Sequence, residues 1–361
     1  MREHLPMKKI LLITENLGSG GAERQLTGLA VLLKERGYNV RFVTYIEKQF
    51  YLPYLKKHGV DYKLLLNAGN KYTRVFYLLK EMQQYKPDAV ISYLTSTNVS
   101  MCLTRLLYKT KLIVSERSHT LVFSFKTRLK FHLYGIADYI VANSSSEENN
   151  IKDHFPVLAS KTLSIHNFID TEKFKPAYPK KENLLPVIYC VGRVIPSKNV
   201  LNMLKAIRSA FNMGFNFNVI WRGSQYDTAY CNEVESMVER LKLNDHFFLK
   251  DQSDNLLPEY QNADIFCLPS FYEGYPNVIC EAMSCGLPVI CSNVCENSNI
   301  VKENINGFLF DPHNPDDIAD AIVKVLSMSE EERNHMCVQN RKDIESNNSA
   351  AKFIDKYISL L

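Results

Sequence analysis

No apolar run in this 361-residue chain approaches the roughly 20 residues of a membrane-spanning helix. The opening, Met1 to Met7, has no signal-type apolar core, because Glu3, His4, Lys8 and Lys9 interrupt it, and a cytoplasmic location is the expectation. There is no Cys-x-x-Cys, and no histidine accompanies the cluster Cys280, Cys285, Cys291 and Cys295. With nine cysteines, an odd number, reduced thiols are expected in place of disulfides or a zinc site. Gly-x-Gly-x-x-Gly is missing, which argues against a dinucleotide fingerprint. No Asp-x-Asp offers a metal-binding pair, and no nucleic-acid motif, short repeat or low-complexity segment occurs. Metal, cofactor and nucleic acid are therefore not expected as partners.

Apolar residues at 46% and charged residues at 23% are ordinary for a soluble globular protein, and the length suits two domains. The net charge of +4 hides a division. Residues 1–175 carry 26 Lys and Arg against 15 Asp and Glu, a balance of +11; residues 176–361 carry 17 against 24, a balance of −7. A basic half points to a polyanion (membrane phosphates, a phosphorylated acceptor, nucleic acid) unless it is only a soluble surface.

The densest chemistry lies in Ser270-Phe-Tyr-Glu-Gly-Tyr-Pro-Asn-Val-Ile-Cys-Glu281. Before it, residues 263–270 read as a short buried strand. After it, residues 277–285 read as a helix closed by Gly286, with Pro288 beyond. Open α/β sheets bind ligands at the carboxyl ends of strands. A helix N-terminus there offers unpaired N–H groups and a positive dipole end to phosphate. Gly274-Tyr-Pro-Asn277 is thus an expected anion cradle, with Glu273 in the loop and Glu281 about a turn into the helix. One carboxylate would suit sugar hydroxyls and the other a ribose.

In the first half, residues 8–14 read as a buried parallel strand, followed by Gly20-Gly21, a helix through Leu26, Leu29, Ala30 and Leu33, and a strand at 40–45. Gly20 and Gly21 would let a backbone approach a diphosphate or sugar closely; a plain tight turn is the alternative. Strands at 60–66, 89–93, 111–115 and 139–142, with helices between, imply a doubly wound parallel sheet. His119, just past the 111–115 strand, is a candidate contact for a sugar hydroxyl or phosphate. Residues 122–134 mix aromatics with Lys126, Arg128 and Lys130. They either lie on an anionic membrane surface or pack an aromatic stripe into the core, the simpler reading.

Residues 174–183, rich in Pro and Lys, mark the expected boundary between domains 1–175 and 176–348. A second α/β pattern follows, with strands at 186–192, 218–221, 247–250, 289–292 and 307–310 and an amphipathic last helix at 350–361. Arg193 and Lys198 flank a strand-to-helix loop, and two cations beside a helix N-terminus suit a diphosphate leaving group.

These residues resemble the family-four retaining glycosyltransferases with the GT-B fold. The resemblance rests on Glu273-x7-Glu281 and its flanks through Gly286-Leu-Pro-Val-Ile290, on Gly20-Gly-Ala-Glu23, Asn167-Phe-Ile-Asp170, Val191-Gly-Arg193 with Lys198, and Asn306-Gly-Phe-Leu-Phe310, and it spans nearly the whole chain. It implies two facing Rossmann-like domains, α/β with parallel sheets, and a nucleotide-sugar in the cleft. The donor would sit on the second domain, the acceptor mainly on the first, and residues 349–361 would cross back to the first. By the same resemblance Glu273 contacts the donor sugar and Glu281 the ribose. The backbone of Gly274, Tyr275, Pro276, Asn277 and Val278, with Arg193 and Lys198, holds the diphosphate, and Gly20 and Gly21 approach it from across the cleft. His119 stands for the family's first-domain histidine, with Glu116 as rival. Trp221-Arg-Gly-Ser224 and Asp251 depart from the glycines frequent near the family's base pocket.

The implied reaction moves a hexose or N-acetylhexosamine, without metal, from a nucleoside diphosphate to a glycan or polyprenyl-diphosphate-linked acceptor in surface polysaccharide synthesis. UDP is the expected carrier and GDP-mannose the runner-up, with peripheral contact at the inner face of the anionic membrane. Same-face attack, the leaving phosphate oxygen assisting deprotonation of the acceptor, would retain configuration. A nucleotide-sugar epimerase or phosphorylase on the same architecture is the alternative enzyme. A non-catalytic or nucleic-acid-binding module resting on the basic half is the alternative outside enzymes.

Overall fold

The computed structural model describes residues 7–179 and 182–361. The first six residues, part of the opening read above, and Lys180 and Lys181 of the expected linker lie outside them. The chain forms two compact units, Met1–Phe168 with Ala350–Leu361, and Ile169–Ser349. The change of unit falls at 168/169, ahead of the expected 175/176, because Ile169 and Phe174 are already buried in the second unit's core.

The first unit alternates strand and helix: β1 (Lys9–Ile13), α1 (Gly21–Glu35), β2 (Asn39–Thr44), α2 (Leu52–Lys57), β3 (Asp61–Leu64), α3 (Arg74–Tyr85), β4 (Ala89–Tyr93), α4 (Thr95–Leu107), β5 (Lys111–Glu116), α5 (Phe125–Tyr134), β6 (Tyr139–Ala142), α6 (Ser145–His154) and β7 (Thr162–Ser164). The sheet is parallel in the order β3-β2-β1-β4-β5-β6-β7, so the winding reverses between β1 and β4. The apolar run Ile10–Ile13 of β1, and β4 with only Ser92 polar, follow from burial on both faces. One face packs with α1, the other with α3 to α6. The aromatic stripe of α5 is divided: Phe131 and Tyr134 enter the core as expected, but Phe125 is 82% exposed.

The second unit contains β8 (Val187–Val191), α7 (Val200–Asn212), β9 (Asn218–Arg222), α8 (Thr228–Arg240), β10 (Phe247–Lys250), α9 (Leu257–Asn262), β11 (Ile265–Leu268), α10 (Asn277–Ser284), β12 (Val289–Ser292), α11 (Asn297–Ile300), β13 (Gly307–Phe310), α12 (Pro315–Leu326) and α13 (Glu330–Asn347). Its parallel sheet runs β10-β9-β8-β11-β12-β13, reversing between β8 and β11. All nine cysteines are free, and burial pushes the Cys280 and Cys285 thiols up to about 12, so they stay neutral core residues.

The last helix, α14 (Ala350–Ile358), belongs to the first unit. Phe353, Ile354 and Tyr357 are buried there, worth about 1.5–3 kcal/mol each. The Tyr357 and Tyr93 hydroxyls share a hydrogen bond of 2.7 Å. Phe168 lies against α14 too, its ring 4.9 Å from that of Phe353, and its backbone is held by both amide atoms of Gln25 in α1.

Candidate active site

The second unit concentrates its expected residues where its winding reverses. From the carboxyl end of β8 the chain passes Gly192 and Arg193 into a short 3₁₀ turn, Pro196–Lys198, and Asn199, at φ +64°, opens α7. From β11 it passes Pro269 to Pro276 into α10. The two loops are stitched together. The Phe271 N–H donates to the Ser197 carbonyl (3.0 Å), and the buried Asn199 amide donates to the carbonyls of Pro269 (3.0 Å) and Pro312 (2.7 Å). Asn tolerates the left-handed backbone needed there. Its amide role was not foreseen, although it adjoins Lys198.

Within this frame the Lys198 Nζ stands 2.5 Å from the Glu273 Oε1, the side chains 19% and 13% exposed. Arg193 is exposed, and its side chain has no hydrogen bond or ion pair among the described residues. The N–H groups of Gly274 and Val278 meet no acceptor among the described residues, and no side chain caps α10. An oriented cation, a carboxylate and unclaimed donors at a helix start form a site for an anion bearing hydroxyls. The cradle is narrower than expected, however. The Asn277 N–H donates to the Tyr275 carbonyl (3.0 Å), and the Tyr275 ring is buried, its hydroxyl accepting from Asn348 (2.5 Å). Tyr275 can offer a ligand only its backbone.

Glu281, expected at the ribose, is 1% exposed, and its Oε2 accepts from the Tyr260 hydroxyl at 3.0 Å. Burial, then the charge of Glu281, pushes the Tyr260 hydroxyl well above its ordinary value, so it remains a donor. The two candidate roles separate by mutation. Glu281→Gln keeps an acceptor for Tyr260. If the carboxylate serves the ribose, donor KM rises about tenfold with the melting temperature nearly unchanged; Glu281→Ala, which strands Tyr260, lowers stability by about 1–3 kcal/mol in urea titrations.

The base-pocket departures have structural causes. A Cβ at Gly223 would fall far inside contact with the Gly192 carbonyl oxygen, which also accepts from the Trp221 indole (2.9 Å). Glycine is therefore kept at 223 by the close approach of the β8 and β9 ends. Arg222 donates to the Asp251 carbonyl (2.7 Å) and pairs with Glu259, while Gln225 donates to the Asp251 carboxylate (2.9 Å).

In the first unit Gly20 and Gly21 are exposed at the start of α1, with the Glu23 carboxylate lying directly over Gly20. Burial pushes that carboxyl above its ordinary value. A diphosphate would meet Glu23 before the glycine backbone. His119 follows β5 with its Nδ1 3.0 Å from the Oε2 of Glu147, a fully buried residue that the sequence reading missed. Burial raises the Glu147 carboxyl, but contacts from His119, Thr120 and Asn150 outweigh it and hold it below the usual carboxylate value. The rival Glu116 is 2% exposed and taken up by Lys130 (2.7 Å) and Ser118 (3.1 Å). Of the two, His119 is the side chain that still reaches solvent, at 19%.

Two family models together match residues 19–343: Glycosyltransferase Family 4 over residues 19–173, and Glycosyl transferases group 1 over residues 169–343. The chain belongs to the family-four glycosyltransferases. Among curated relatives of this glycosyltransferase, the Campylobacter jejuni GalNAc-alpha-(1->4)-GalNAc-alpha-(1->3)-diNAcBac-PP-undecaprenol alpha-1,4-N-acetyl-D-galactosaminyltransferase is 28% identical over 84% of each chain. The Escherichia coli UDP-Gal:alpha-D-GlcNAc-diphosphoundecaprenol alpha-1,3-galactosyltransferase is 30% identical over 60% of this chain and 58% of its own. The structure of Anabaena HepE with UDP and glucose superposes with a TM-score of 0.85 at 18% identity, covering 98% of both chains. At that identity it establishes the fold, which is the GT-B α/β architecture expected from the sequence.

Proposed function

We propose that this glycosyltransferase transfers a hexose or N-acetylhexosamine from a UDP-sugar to a lipid-diphosphate-linked glycan, with retention of configuration. The observation that carries the proposal is the Lys198–Glu273 pair at the carboxyl ends of β8 and β11, beside the unclaimed N–H groups of Gly274 and Val278. The C. jejuni and E. coli relatives, both named for undecaprenyl-diphosphate acceptors, support the acceptor class, and the UDP-bound neighbour supports the carrier.

As the bond from the sugar C1 to the phosphate oxygen breaks, charge gathers on the leaving diphosphate. Lys198, Arg193 and the two N–H groups then stabilise it, which lowers the barrier. These positive groups, Lys198 fixed beforehand and Arg193 ordered on binding, would do the work a metal ion would do, so no cofactor enters the proposal. The acceptor oxygen bonds to C1 from the same face, and its proton passes to the departing phosphate oxygen. Glu273 holds Lys198 in place and orders the sugar hydroxyls. The carboxylate pair is not a glycosidase acid and nucleophile, since Glu281 is spent on Tyr260.

The test is a panel of nucleotide-sugars scored by thermal stabilisation, followed by acceptor-dependent nucleotide release. UDP-sugars should stabilise the protein, and Glu273→Ala should abolish turnover. Full turnover by that variant, or isomerisation of a nucleotide-sugar without acceptor, would defeat the proposal, the latter in favour of an epimerase.

A further inference from the structure

Ser144 caps α6 and is followed by Glu147 at the spacing of a capping box. The serine does its part, its hydroxyl accepting from the Glu147 N–H at 3.1 Å. The glutamate does not return the bond. Its carboxylate turns instead to the loop after β5, accepting from the Thr120 N–H (2.8 Å), the Thr120 hydroxyl (2.6 Å) and the Asn150 amide (3.1 Å). Asn150 also donates to the Thr120 carbonyl (2.9 Å), so Thr120 is fastened to α6 through both its backbone groups.

A carboxylate buried this fully is costly unless a cation pairs with it. Among the described residues no lysine or arginine pairs with Glu147, and its one partner able to carry charge is His119. Burial opposes ionisation, but the donors of His119, Thr120 and Asn150 outweigh it and keep the carboxylate anionic. Glutamine serves a capping box as well as glutamate, so the box does not account for the charge. The His119 ring does. Its Nδ1 is buried and no aligned hydrogen bond satisfies it, although Oε2 is only 3.0 Å away. A buried ring nitrogen needs a partner, and a small turn of the ring would supply one. Such bonds are often misaligned in an unliganded site and tighten when substrate arrives. A lone pair on Nδ1 would repel the carboxylate, so the proton of the neutral ring belongs there and Nε2 is left as an acceptor. That selects between the two ligands open to His119: a hydroxyl can donate to Nε2, and an ionised phosphate cannot.

We propose that Glu147 is the positioning residue for His119: it sets the tautomer of the ring and holds its loop, so that Nε2 accepts from a substrate hydroxyl. The hold on the ring stands on the geometry of the first unit alone; the substrate hydroxyl rests on the proposed function.

The experiment has two arms. In the first, long-range proton–nitrogen NMR of the imidazoles at alkaline pH, with the His119 signals assigned by their loss in His119→Ala, should show the Nδ1–H tautomer in the parent and a mixture of tautomers in Glu147→Gln. In the second, kcat is measured for the parent, Glu147→Gln, His119→Ala and the double variant. Glu147→Gln should lower kcat about tenfold with donor KM within about twofold, and should cost less than about twofold once His119 is gone. A merely structural glutamate would cost the same with or without the histidine, and that additivity overturns the proposal. So does a tautomer unchanged by Glu147→Gln, or an Nε2–H ring in the parent. If Glu147→Gln does not fold, Asn150→Ala takes its place. It loosens the carboxylate from a half-buried position without removing it, and should give the same pattern at about threefold. If no nucleotide-sugar is turned over, the proposed function fails, and the NMR arm still decides whether Glu147 holds the ring.

Discussion

Alanine at Lys198 is expected to lower kcat by roughly 10²- to 10³-fold, with a smaller rise in donor KM. Lys198 is a cation already fixed, its ammonium held by Glu273 and its loop by the Asn199 amide. Arg193 starts exposed and must be ordered before it can serve, so Arg193→Ala should cost less. Glu273→Gln should also slow turnover, because it loosens Lys198 and changes the contact with the sugar. The two residues act as a unit, so the double variant should be little worse than the worse single one. Steady-state kinetics on the four proteins of the cycle decides the matter. A Lys198→Ala enzyme within about threefold of the parent kcat would remove this residue from the mechanism.

Gly223→Ala is expected to destabilise the second unit by about 1–3 kcal/mol or more, as overpacking does, and to raise donor KM as well. The added Cβ would press on the Gly192 carbonyl, so relief requires the β8 and β9 ends to part. Gly192 begins the loop that carries Arg193 and Lys198, and the displacement would pass directly to the site. Gly214→Ala is the control. Its φ is +90° and nothing lies within 4 Å of the added carbon, so only backbone strain of about 1 kcal/mol is introduced. It should lower the urea midpoint modestly and leave KM alone. A Gly223→Ala protein as stable as the parent would show that the strand ends yield freely.

Most of the fold was legible in the sequence, for a physical reason. Parallel strands buried on both faces, such as Ile265–Leu268 and Val289–Ser292, are apolar nearly throughout, and such runs are visible without a structure. The three-residue edge strand Thr162–Ser164 has no such run. Helix α13 was missed although it is 18 residues long, because only Met336, Asn340 and Ile344 are buried along it. It is anchored by polar bonds instead, Asn340 to the Leu287 carbonyl (2.7 Å) and Arg341 to that of Ser284 (2.8 Å). The Ser329–Glu332 capping box was its one local sign.

In the site, Glu273 and Lys198 were legible as motif residues, but their direct pairing was not, since it joins positions far apart in the chain. The same limit hid the Tyr260 bond to Glu281 and the Lys130 bond to Glu116, each of which occupies a carboxylate that sequence alone leaves open. Gly20-Gly21 read as an open approach because the fold of Glu23 back over Gly20 depends on a side-chain rotamer.

The placement of α14 bears on the order in which the molecule can be built. Phe353, Ile354 and Tyr357 fill a gap in the first unit's core, and Tyr357 satisfies the buried hydroxyl of Tyr93. The second unit is one continuous segment, Ile169–Ser349. On a ribosome the first 168 residues emerge early yet must wait, with that apolar seam uncovered, until residues 350–361 have been made. The segment synthesised first is the one completed last, and a chain stalled anywhere in the second unit leaves the Tyr93 seam open to other hydrophobic surfaces.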